Sequence, residues 1–123
     1  MKPKLLIIGG SGLVGSTLIQ YASLDYDVHF TYNNNKISFD NIRSTQINLL
    51  DNQKLILNLI QEIQPDIVVN TAAHSSVDLC EIDHNIADKL HIDVTKDIAQ
   101  ICKENDSKLI YLSTDAVFQG ELN

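Results

Sequence analysis

The chain has 123 residues, 44% of them hydrophobic and 20% charged, which suits one globular domain with a core of its own. A formal net charge of -7 argues against nucleic acid or an anionic membrane as the main partner, although backbone amides can still hold an anion locally. The apolar run behind Met1-Lys2-Pro3-Lys4 lasts four residues before two glycines, too short for a signal segment or a membrane span, so a cytoplasmic protein is expected.

In chain order, residues 4–8 (KLLII) read as a strand buried on both faces. A glycine cluster follows, and then a helix over residues 13–23. Residues 27–32 (DVHFTY) form a second strand, and 33–44 a loop or weak turn containing the run Asn33-Asn34-Asn35. A short third strand is expected at 45–49. A helix over 52–64 carries Ile56, Ile60 and Ile63 on one stripe, with Asp51 as its N-cap. Pro65 precedes a fourth buried strand at 66–70 (DIVVN), as Pro3 precedes the first; a proline is tolerated at a strand entrance, where no ladder bond is needed. A short helix is expected near 77–81, then a long one over 86–104 with Ala87, Leu90, Val94, Ile98 and Ile101 at spacings of three and four. Residues 108–112 (KLIYL) complete a fifth strand. Strands alternating with helices, and buried on both faces, imply parallel pairing: an α/β, Rossmann-type doubly wound parallel sheet of order 3-2-1-4-5.

The segment Ile8-Gly9-Gly10-Ser11-Gly12-Leu13-Val14-Gly15 contains both GxGxxG and GxxGxxG. Its position, between a buried strand and a helix, is that of a dinucleotide-binding turn. The first glycine lets the chain bend sharply off the strand, Gly12 lets a pyrophosphate approach the backbone, and Gly15 lets the helix pack against the sheet. The phosphates would then face free amides at the positive end of the helix dipole. Selection of NAD usually places an acid about 20 residues on, at the end of the second strand. Here that strand ends His29-Phe30-Thr31-Tyr32-Asn33, and Asp27 stands at its start. No carboxylate stands there to repel a 2′-phosphate, and Lys36 and Arg43 just beyond either pair with one or are solvated loop charges, so NADP is favoured over NAD, which stays open.

The segment Pro65-Asp66-Ile67-Val68-Val69-Asn70-Thr71-Ala72-Ala73-His74, with Val77-Asp78 and Glu81, resembles the PDVVNxAAxxxVDxxE segment of the dTDP-4-dehydrorhamnose reductases, extended short-chain dehydrogenases/reductases that act on nucleotide sugars. The run Tyr111-Leu112-Ser113-Thr114-Asp115-Ala116-Val117-Phe118-Gln119-Gly120 resembles that family's STDYVFDG. The resemblance implies cofactor contacts from Gly12, Leu13, Val14, Asn48, Leu49, Ala72 and Ala73, to which the glycine loop adds Gly9 and Gly15. It implies that Thr114 hydrogen-bonds the substrate carbonyl or hydroxyl, with Asp115 facing the substrate crevice. His74, at a strand end near the expected nicotinamide, either lines the substrate or makes a local loop contact. Asn48, Asp93, Ala116 and Gln119 depart from the family's usual residues.

The resemblance also implies a Tyr-x-x-x-Lys pair, whose lysine lowers the tyrosine pKa for proton donation, some two dozen residues beyond Thr114. The chain stops at Asn123. Its one Tyr-x-x-x-Lys, Tyr32 to Lys36, crosses the polar asparagine run and is read as coincidence. Residues 1–123 are therefore expected to be the N-terminal, NAD(P)-binding part of a reductase, without the substrate lobe, incomplete at the C-terminal side of its sheet and inactive alone. A bare edge at the fifth strand would invite a second copy, a homo-oligomer.

Three functions stay open: an NAD(P)-dependent oxidoreductase of a nucleotide sugar; an epimerase or dehydratase of the same substrates; and a non-catalytic regulatory subunit, as the regulatory subunit of methionine adenosyltransferase resembles the same family. His84, Asp88 and His91 share a helix face, but no fourth ligand is evident and they read as solvated, so no metal is expected. Ser75, Ser76 and Ser113 lack a hydrolase GxSxG elbow. Cys80 and Cys102 read as reduced thiols without an activating motif.

Overall fold

The computed structural model describes residues 2–9, 13–32, 37–47, 53–71 and 84–111, with side chains for all of these except 13, 53 and 84–91. The elements run β1 (Lys4–Ile8), α1 (Leu13–Ala22), β2 (Asp27–Tyr32), β3 (Arg43–Gln46), α2 (Gln53–Ile63), β4 (Ile67–Asn70), α3 (His84–Glu104) and β5 (Lys108–Tyr111). The five strands form one parallel sheet of order β3-β2-β1-β4-β5, the expected order.

Strand alternation splits the apolar residues between two faces. Leu6, Ile8 and Val68 turn to one side and meet Ile56, Leu59 and Ile60 of α2 and Val94, Ile98, Ile101 and Cys102 of α3. Leu5, Ile7, Val28, Phe30 and Val69 turn to the other and meet Ile19 and Ala22 of α1. That is why β1, central and covered on both sides, has no polar residue after Lys4. The second face is completed by the link between β2 and β3. Ile37, Phe39 and Ile42 pack against it, and the Phe39 ring meets Phe30 edge to face at 5.9 Å. The loop or weak turn expected there is a turn over Phe39–Ile42, closed by a 3.2 Å backbone bond with Asn41 at φ 63°.

Helix ends follow local chemistry. Gln64, at φ 50°, ends α2 with a 2.8 Å bond from its N–H to the Ile60 carbonyl, and Pro65 then prevents continuation. Lys4 Nζ donates to the Ile63 carbonyl at 3.2 Å, a cation against the negative end of that helix. At the end of α3 the Ser107 N–H reaches the Cys102 carbonyl (2.7 Å) and the Asp106 N–H the Lys103 carbonyl (3.2 Å), a Schellman motif with Asp106 at φ 60°.

The third strand starts at Arg43, two residues before the expected start, and residues 48 and 49 lie outside the described residues, as do the expected cap Asp51, Cys80, Leu112 and the short helix at 77–81. Among the described residues no helix is long and apolar enough to cross a membrane.

Candidate functional site

The C-terminal ends of the parallel strands lie along one edge of the sheet, and open α/β sheets bind ligands outside that edge. Strand β1 ends there at Ile8. Gly9 follows with φ 85°, a left-handed conformation in which a side chain would crowd the following carbonyl. Both polar groups of Gly9 are held. Its N–H donates to the Thr31 hydroxyl oxygen on β2 at 3.1 Å, and its carbonyl accepts from the Thr71 hydroxyl beyond β4 at 3.0 Å. The Thr71 hydroxyl also reaches the Ile8 carbonyl at 2.7 Å, and the Thr71 N–H donates to that carbonyl at 2.9 Å. Both threonines are buried.

Helix α1 opens at Leu13 and has no acidic residue in its first turn, so none of its own carboxylates offsets the positive end of its dipole. Val14 is exposed and Gly15 buried. A glycine bend without a Cβ, leading into an acid-free helix start, suits an anion held on backbone amides. Gly12, Asn48, Leu49, Ala72, Ala73, His74, Thr114, Asp115 and Lys36 lie outside the described residues, and the side chains of Leu13, His84, Asp88 and His91 are likewise not described. Among the described residues no group of three or more His, Cys, Asp or Glu is placed to hold a metal ion.

One expectation is corrected. Arg43 does not stand at the end of β2 to meet a phosphate. The pairing of β3 sets it opposite His29 while Gln46 lies opposite Tyr32, so it sits three residues back from the ligand edge. Its Nη2 lies 3.5 Å from Asp27 Oδ2, at the start of β2. Asp27 thus belongs to the far end of its strand, as its sequence position suggests, and β2 finishes Thr31-Tyr32 without a carboxylate.

Sequence reasoning assigned no role to Thr31 and Thr71. A signal was present: each hydroxyl stands at the end of a strand whose preceding inward positions are otherwise mostly apolar. Away from the edge, burial pushes the His29 imidazole below its usual range, and Arg43 acts in the same direction, while Glu62 and Asp27 oppose it. Burial raises the Cys102 thiol, which suits an inert structural cysteine. Burial also raises the Tyr111 phenol, with the neighbouring Thr95 hydroxyl opposing.

A model of the RmlD substrate binding domain matches residues 2–123. The probable low-salt glycan biosynthesis reductase Agl14 of Haloferax volcanii is 29% identical over 116 residues, 94% of this chain and 38% of that protein. A crystal structure of a hypothetical dTDP-4-dehydrorhamnose reductase from Sulfolobus tokodaii superposes with a TM-score of 0.78 at 32% identity, covering 98% of this chain and 42% of that one. The dTDP-4-dehydrorhamnose reductase of Bacillus anthracis, solved in complex with NADP, superposes with a TM-score of 0.70 at 26% identity, covering 98% and 39%. The chain therefore spans about two fifths of the length of these relatives.

Proposed function

The chain belongs to the RmlD substrate binding domain family, and from that premise we propose that it is the dinucleotide-binding part of an NAD(P)-dependent oxidoreductase acting on a nucleotide sugar. The observation that carries the reading is the bend at Gly9, φ 85°, between the central strand and an acid-free helix start. In this reading Gly9, Gly12, Leu13, Val14 and Gly15 receive the pyrophosphate. Asn48 and Leu49 border the adenine, and Ala72 and Ala73 pass beside the nicotinamide ribose. Thr114 holds the substrate carbonyl, and His74 and Asp115 line the sugar crevice. The bound cofactor would supply the hydride that reduces a ketone of the sugar. In this reading residues 1–123 form the cofactor domain of a cytoplasmic enzyme.

NADP is the preferred form. The end of β2 offers no carboxylate to repel a 2′-phosphate, since Asp27 is spent on Arg43 at the strand's other end. The relative from Bacillus anthracis was solved with NADP, which accords with this choice.

The test is a titration of the protein against reduced cofactors, followed by nicotinamide fluorescence. Saturable binding with NADPH tighter than NADH is expected. No fluorescence change at millimolar protein would remove the cofactor assignment, and a clear preference for NADH would reverse the choice between the two.

A further inference from the structure

We propose that Thr31 and Thr71 are positioning residues of the cofactor loop: one hydroxyl from each strand flanking β1 holds a different polar group of Gly9, and together they set the direction in which the glycine loop leaves the sheet. The inference rests on the dinucleotide-binding reading above.

Packing alone does not call for these hydroxyls. Valine has nearly the same shape, favours strands equally, and would bury no polar atom. Most of the inward neighbours are apolar: Phe30 precedes Thr31, and Val68 and Val69 lead toward Thr71. A hydroxyl at 3% exposure, as both are, must be hydrogen-bonded to be tolerated, and here both reach the same residue. Their roles are complementary. The Thr31 oxygen accepts from the Gly9 N–H, while the Thr71 hydroxyl shares its proton between the Ile8 and Gly9 carbonyls.

The geometry matters because of where Gly9 sits. A glycine has more backbone freedom than any other residue, and its positive φ lies outside the range of the strand it follows. A peptide unit is planar, so holding the Gly9 carbonyl orients the whole unit through which the chain departs. With its N–H held as well, the bend is fixed on both sides before any ligand arrives. Ordering a loop in advance removes that cost from binding, so the two threonines should act on affinity beyond any effect on folding.

The experiment compares NADPH affinity, by nicotinamide fluorescence, across Thr31→Val, Thr71→Val, Thr31→Ser, Thr71→Ser and a core control, Val69→Ala, all in the full chain and each checked for folding by circular dichroism. Val69 is buried on the neighbouring strand and touches neither hydroxyl bond. Each valine variant should bind about tenfold more weakly, the equivalent of one ordinary hydrogen bond. The serine variants should stay within about twofold of the parent, because the hydroxyl is kept. Val69→Ala should lower the melting temperature while leaving the dissociation constant unchanged. If Thr71→Val does not fold, Thr31→Val decides alone. Valine variants that bind like the parent, or a Val69→Ala variant weakened as much as they are, would overturn the positioning role while leaving the cofactor reading intact. A parent chain without NADPH affinity would remove both.

Discussion

His29 Nε2 lies 2.7 Å from the Thr45 hydroxyl, tying the middle of β2 to β3, while the other ring nitrogen is buried and has no hydrogen-bond partner among the described residues. A neutral imidazole tolerates this arrangement. An imidazolium would place a second N–H donor at that unpartnered position, inside a site already unfavourable to charge.

The consequence is a pH dependence of stability with a definite sign. Burial, helped by Arg43, lowers the imidazole's pKa in the folded chain, against weaker opposition from Glu62 and Asp27. The unfolded chain therefore binds the proton more readily, so the His29 contribution is fully present above the unfolded value of about 6.5 and is lost as the pH falls through the folded one. Urea midpoints at pH 7.5 and pH 5.0 should fall further for the parent than for His29→Gln. Equal losses in the two proteins would show that His29 is not the group responsible.

Gly9→Ala should destabilise the chain by about 1–2 kcal/mol, the cost of holding an L-residue in the left-handed region, where Gly9 has φ 85°. The check is the urea midpoint. The same substitution should weaken NADPH binding, because the new Cβ projects beside the bend. A stability change below about 0.5 kcal/mol would mean that the bend tolerates a side chain.

Arg43→Ala should leave both stability and cofactor affinity nearly unchanged. The Arg43–Asp27 pair is exposed on both sides, and such pairs contribute about 0–1 kcal/mol. Since β3 sets Arg43 back from the ligand edge, NADPH affinity should move less than about twofold. A tenfold loss, specific to NADPH over NADH, would instead put its guanidinium on the 2′-phosphate, about 1.4 kcal/mol of interaction.

The sheet was legible in the sequence because its signal is local. Continuous apolar runs such as Leu5 to Ile8 can be buried only between two layers, and the stripe of Ile56, Ile60 and Ile63 has the period of a helix that faces them. The glycine bend was legible for the same reason: a residue that must take positive φ at the end of a central strand leaves its mark at that very position. Arg43 was misplaced because strand boundaries are weakly encoded. As the first residue of a parallel strand it lies at the edge opposite the strand ends where a cofactor was expected, although it follows β2 closely in the sequence.

By itself, then, the amino-acid order determined the alternation of strands and helices, the buried central strand, and the glycine that lets the chain turn off it, since each follows from burial and backbone freedom within a few neighbouring residues. Tertiary structure decided which hydroxyls hold that glycine and which acid answers Arg43. Thr31 and Thr71 lie 22 and 62 residues from Gly9 along the chain. They meet it because parallel pairing brings the ends of three strands to one level, and a hydrogen bond, unlike a hydrophobic period, depends on that register to within an ångström or so.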